Sequence, residues 1–250
     1  MRMAGARWTR DELLLAMHLY ERISFGRQHS RDPEVRALAE RLGRTASSVA
    51  MKLNNFTSID PEELARGVRG LQGASELDRA VWAEFHGHAE VVEEAEALWT
   101  EDHHHHVETW TGETEGTANR RVRLAQAWFR RVVLANFEGR CAVTGVATPA
   151  LLVASHIVPW SEAPEHRVDA ANGICLNRLH DGAFDRGLIT FDDDQRLVIG
   201  RRLREELGTD ALSRSFLQTE GARLREPVRR ALDPRLLARQ RERFWREEAA

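Results

Sequence analysis

Three polar side chains stand in or beside apolar runs in one short stretch of the chain: His156, Asn172 and His180. Two of them are imidazoles. A neutral imidazole, with an ordinary pKa near ~6.5, takes a proton from water at neutral pH and also binds divalent metals. Asp181 follows His180 directly, and Asp185 comes four residues later on the same helical face. Each residue taken singly has a plainer reading. His156 could be a satisfied histidine at a strand end, Asn172 a turn residue before Gly173, and His180 an exposed helix residue. Taken together, the set offers a proton acceptor, metal ligands and an amide within a single small fold.

The elements that must position them can be read from the pattern. Leu151 to Ala154 is a short apolar run that predicts a buried strand delivering His156, and Pro159 prevents a regular ladder from continuing. A polar loop from Ser161 to Ala171 follows, and Asn172-Gly173 reads as a turn. Ile174-Cys175-Leu176 is apolar and leads into a helix over Asn177 to Arg186, which Gly187 ends. Leu188 to Phe191 and Arg196 to Ile199 then read as paired strands, with Asp192-Asp193-Asp194 as the hairpin tip. A strand end, a turn and a helix thus each supply one of the polar groups.

This order resembles the HNH endonuclease family, the ββα-metal or His-Me finger nucleases, and within it the restriction-endonuclease-like branch. The similar stretch runs from about Arg140 to Gly200, about a quarter of the chain. It includes Cys141-Ala142-Val143-Thr144-Gly145, Ser155-His156-Ile157-Val158-Pro159 and Phe184-Asp185-Arg186-Gly187-Leu188-Ile189-Thr190. The resemblance implies hydrolysis of DNA phosphodiester bonds, with His156 as general base, Asn172 holding it in place and His180 binding a divalent ion, Mg²⁺ or Mn²⁺. The chemistry calls for such groups. A phosphodiester repels hydroxide and has a poor leaving group, and a metal with open positions offsets charge on the departing oxygen.

Two departures stand out. Many relatives carry an Asp just before the first His, as a second metal ligand, whereas this chain has Ser155. Asp181 or Asp185 is then expected to compensate, or Asp185 only orders the turn that follows it. Many relatives also bind a structural zinc through four cysteines. Cys141 and Cys175 are the only cysteines here, so that site is impossible, and both read as buried reduced thiols.

The chain has 250 residues, 42% of them hydrophobic and 30% charged, which fits one large or two modest globular domains. No run approaches a membrane span, and the first ten residues carry no apolar signal core, so the chain reads as cytoplasmic. The net charge of −3 hides a split. Residues 1–89 hold 13 basic and 12 acidic side chains, residues 90–119 hold nine acidic and no Lys or Arg, and residues 120–250 hold 23 basic and 18 acidic. The acid is confined to one segment, so the total does not argue against a DNA partner.

Ahead of that segment the chain reads as helical. Thr9 and Glu12 have capping-box spacing for a helix over Arg10 to Arg22. Asp32-Pro33 starts a second helix, Gly43-Arg44 turns the chain, and Thr45 caps a third. The pair resembles a helix-turn-helix, and the second helix is expected to show Ser47, Ser48, Lys52, Asn54 and Asn55 outward toward DNA. Asp78 to Leu98 reads as one helix, and Arg120 to Ala135 as another with a basic outer face. Leu236, Leu237, Phe244 and Trp245 are expected to pack a final helix.

The expected architecture is α+β. Residues 1–99 form a helical DNA-binding domain, 100–119 an acidic linker containing His103 to His106, and 120–250 an HNH nuclease domain with a helical extension. The function expected is a metal-dependent DNA endonuclease of a restriction or DNA-defence system, with a homodimer for double-strand cleavage. The alternatives are a general repair or nicking nuclease, and a DNA-binding regulator whose nuclease fold has lost catalysis.

Overall fold

The computed structural model describes residues 7–101 and 115–249. His103 to His106 and most of the expected linker lie outside the described residues. The chain divides into two compact units, Met1–Trp128 and Phe129–Ala250, and the fold is α+β.

The first unit is helical. α1 (Arg10–Tyr20) begins at a capping box in which the Thr9 hydroxyl accepts from Glu12 N while Glu12 accepts from Thr9 N. Its residues from Glu12 onward are all buried, so it is the central helix of the unit. α2 (Pro33–Leu42) is capped by Asp32 and ends at Gly43, whose φ of +60° suits a residue without a Cβ. α3 (Ala46–Thr57) starts at Thr45, and α4 (Pro61–Ala65) starts at Asp60, whose carboxylate also accepts from Tyr20 Oη at 2.7 Å. The helix expected over Asp78 to Leu98 is two helices, α5 (Glu76–Gly87) and α6 (Ala89–Glu101), broken where His88 adopts an extended backbone. α1 packs against α2, α3, α5 and α6.

α7 (Glu115–Asn136) runs across the division between the units. In the second unit, β1 (Leu152–His156) pairs antiparallel with β2 (Gly173–Asn177), placing Ser155 opposite Ile174 and His156 opposite Gly173. α8 (Arg178–Asp185) follows directly, capped by Asn177, and packs on both strands. This is the ββα unit. Gly187, at φ +62°, turns the chain into the hairpin of β3 (Ile189–Phe191) and β4 (Leu197–Ile199). The Asp192 carboxylate accepts from Asp194 N and Arg196 N, which makes the acidic stretch the hairpin tip.

α9 (Arg201–Glu206), α10 (Ala211–Leu217) and α11 (Pro234–Glu248) complete the unit. α11 buries Leu236, Leu237 and Phe244. Trp245 does not join them: it is 53% exposed, because its position on the helix turns away from the buried stripe. Cys141 and Cys175 are both buried and free. Cys141 Sγ accepts from Asn177 N at 3.3 Å, and burial, with the neighbouring Cys141, pushes the Cys175 thiol up to about 12. Both therefore remain thiols that fill the core.

Candidate active site

β1 delivers His156 at its end. The imidazole lies flat on Phe129 of α7, with centroids 3.7 Å apart and planes 6° apart. Gly173 makes this approach possible. A Cβ there would stand 2.3 Å from Val133 Cγ2 and 2.9 Å from Phe129 Cζ, so the glycine is required by the packing of α7. The expected turn is instead a 3-10 segment over Ala170–Asn172, and Gly173 itself is extended strand.

The His156 tautomer follows from its partner. Nε2 lies 3.1 Å from the Arg167 carbonyl oxygen. A carbonyl only accepts, so Nε2 carries the proton, and in the neutral ring Nδ1 holds the lone pair. Burial lowers the pKa of His156, against the opposing pull of the Arg167 carbonyl and the Asp185 carboxylate. The ring is thus neutral at pH 7, with a basic nitrogen to which no described residue donates.

Asn172 is fully buried, and its amide hydrogen-bonds to backbone rather than to the imidazole. Its Oδ1 accepts from Val158 N at 2.9 Å, and its Nδ2 donates to Val158 O at 3.0 Å and His166 O at 3.2 Å. It ties the chain leaving β1 to the loop that carries Arg167. Through that loop it sets the carbonyl on which His156 is oriented.

His180 lies on the inner face of α8. Its ring is 0% exposed. Nδ1 donates to Asn177 Oδ1 at 3.1 Å, and Nε2 lies 3.1 Å from the Thr219 hydroxyl. Burial lowers its pKa to about 4. Both nitrogens have partners inside the protein, at the start of α8 and at Thr219. Its helical position was legible, but the inward rotation of that face was not.

Asp181 and Asp185 lie one turn apart on α8. The Asp181 pKa is raised by burial, lowered by Ser155, raised by Asp185, and lowered by Arg178 and Arg186. Ser155 is 2% exposed. Carboxylates are hard oxygen donors of the kind Mg²⁺ and Mn²⁺ prefer. Among the described residues no three His, Cys, Asp or Glu side chains gather into a full cage. Arg178 and Arg186, both exposed, flank the carboxylates and form no ion pair among the described residues. Arg178 Nε donates to Ala150 O, and Arg186 Nη1 to Gly182 O.

On α3, Lys52, Asn54 and Asn55 of the expected DNA face have partners inside their own unit. Lys52 is buried and pairs with Asp78 at 2.8 Å, above the Trp8 ring. Asn54 Nδ2 donates to Gln28 O and Ala50 O, and Asn55 Nδ2 to Leu71 O, each at 2.9 Å. The segment around Gly70 lies against this face so closely that a Cβ on Gly70 would stand 2.2 Å from Asn54 O. Ser47 and Met51 remain exposed, and Ser48 is half-buried. Lys52, Asn54 and Asn55 therefore bind Asp78 and neighbouring backbone, where a helical wheel assigns them to solvent.

Phe129, Gly173, Arg167 and Ser155 complete the site, and sequence reasoning gave them no role in it. Phe129 and Gly173 read as ordinary core and turn residues. Arg167 acts through its carbonyl, which leaves no residue signature. Residues 141–192 match the family model described as HNH endonuclease. A comparison with curated proteins finds no match.

Proposed function

We propose that this chain, whose residues 141–192 carry an HNH endonuclease domain, hydrolyses DNA phosphodiester bonds with His156 as general base. The observation that carries the reading is the orientation of His156. Its Nε2–H is fixed on the Arg167 carbonyl, and its ring is held flat on Phe129. Nδ1 is left as the proton acceptor, in a ring that burial keeps neutral. Water at Nδ1 gives up a proton as its oxygen bonds to phosphorus. The bond to the 3′ oxygen then breaks, and that oxygen takes a proton from solvent.

Asn172 is a positioning residue that acts through the Val158 and His166 backbone. HNH nucleases generally use a divalent ion. Here Asp181 would hold it, with Asp185 beside it, and the bound ion would offset charge on the departing oxygen. Arg178 and Arg186 would meet the neighbouring phosphates. The separate helical unit supports a directed nuclease, of a restriction or DNA-defence kind, although not one that reads bases through Lys52, Asn54 or Asn55. Incubation of the full chain with supercoiled plasmid and Mg²⁺ or Mn²⁺ tests the activity. The expected result is nicked or linear DNA that disappears with EDTA. Intact plasmid under every metal condition would contradict it.

A further inference from the structure

The loop that leaves β1 carries the Arg167 carbonyl on which His156 is oriented, and it also carries Glu162. α11 lies along this loop. Its capping residue Asp233 donates its N–H to Ala171 O at 3.0 Å, and near its other end Glu247 lies against Gly187, just past α8. Between those ends Arg239 and Arg243 stand one turn apart on the helix, and both reach Glu162. Arg239 Nη2 is 3.6 Å from Glu162 Oε2 and also donates to the Glu162 carbonyl oxygen at 3.1 Å. Arg243 Nη1 is 3.5 Å from Glu162 Oε1. One carboxylate is thus seated between two guanidinium groups, and one positive charge is left over. Arg239 and Glu162 are exposed and Arg243 is half-buried, so the trio is open to solvent.

We propose that Arg239 and Arg243 form a phosphate clamp for DNA, which Glu162 occupies in the free chain and a backbone phosphate takes when the duplex is bound. The fork of a guanidinium matches phosphate oxygens as it matches those of a carboxylate. Exposed ion pairs are worth little, so Glu162 is displaced at small cost. The clamp is built on the loop that orients His156, so a phosphate held there fixes the DNA relative to that base. This rests on reading the chain as a DNA nuclease.

Binding of the full chain to a fluorescent DNA duplex of about 20 base pairs, in EDTA and at several salt concentrations, tests the inference. The variants are Glu162→Gln, Arg239→Gln with Arg243→Gln, all three together, and a control of equal charge loss, Arg202→Gln with Arg214→Gln. Loss of both clamp arginines is expected to weaken binding and to reduce the slope of log affinity against log salt by about 0.9, the value for one phosphate. Glu162→Gln is expected to bind about 2–5-fold more tightly, the worth of an exposed ion pair, and to lose that gain when both arginines are absent. Unchanged affinity and slope without the arginines, or an equal loss in the control, would overturn the clamp while leaving the DNA reading in place. An equal gain from Glu162→Gln in both backgrounds would make Glu162 a simple repulsive charge and overturn its role in the clamp. Weaker binding that comes with a fall in Tm, and no gain in Glu162→Gln, would make the trio a structural tie and also overturn the inference. A wild type that binds no duplex at any salt would overturn the DNA reading on which the clamp rests.

Discussion

His156 and His180 are both neutral histidines in the same small unit, and their surroundings separate their roles. His156 has one nitrogen fixed and one left basic. Its pKa is lowered, chiefly by burial, so the base form persists to more acidic pH than for a free imidazole. The rising limb of kcat/KM against pH is therefore expected to lie below ~6.5, with a plateau above it. A limb centred at or above that value, under metal saturation, would contradict the assignment. His180 has both nitrogens engaged and a pKa near 4. The unfolded chain takes a proton on this residue as pH falls below ~6.5, while the folded chain resists until about 4. Its contribution is complete above the unfolded value and is lost progressively on acidification, on the order of 3 kcal/mol at most. His180→Gln is expected to lower Tm at pH 7 and to flatten the acid limb of stability, with Mn²⁺ affinity unchanged. An affinity loss without a stability loss would restore His180 as a ligand. The three polar positions were legible because strand, turn and helix signals fall around them. Which ones face outward was not, since it depends on Asn177 and Thr219 closing around His180.

Among the elements, the strand–strand–helix order and the caps at Thr9, Asp32, Thr45 and Asn177 follow local chemistry and were legible in sequence. What local pattern does not carry is the approach of α7 to β2. Gly173→Ala would place a methyl 2.3 Å from Val133 Cγ2. It is expected to displace Phe129 from His156, with a stability cost of about 1–3 kcal/mol and a larger loss of kcat than of DNA affinity. Unchanged turnover would show that the stack is not needed. α3 gives the opposite case, because Lys52, Asn54 and Asn55 read as outward-facing yet are tied to neighbours in their own unit. Lys52→Ala removes the partner of Asp78, which is 0% exposed. Breaking a buried pair typically costs about 3–5 kcal/mol, so thermal melting should register the change. The slope of DNA affinity against salt should stay the same. A stable variant with a shallower slope would return Lys52 to the DNA interface.

At the scale of the whole molecule, basic residues exceed acidic ones from position 120 onward and acidic residues crowd 90–119, so the modest total charge conceals a basic excess in the last half of the chain. No helix among the described residues is long and apolar enough to cross a membrane. The central claim is that one oriented imidazole turns this unit into a DNA-cutting enzyme. The most direct measurement compares the wild type with His156→Ala on supercoiled plasmid in Mg²⁺ and in EDTA, with DNA affinity measured on the same preparations. The account predicts cleavage by the wild type only with metal, about a 10²–10⁴-fold lower rate in the variant, and similar DNA affinity for both. A folded His156→Ala that cuts at the wild-type rate, or a wild type that binds DNA without cutting it under any divalent ion, would contradict it.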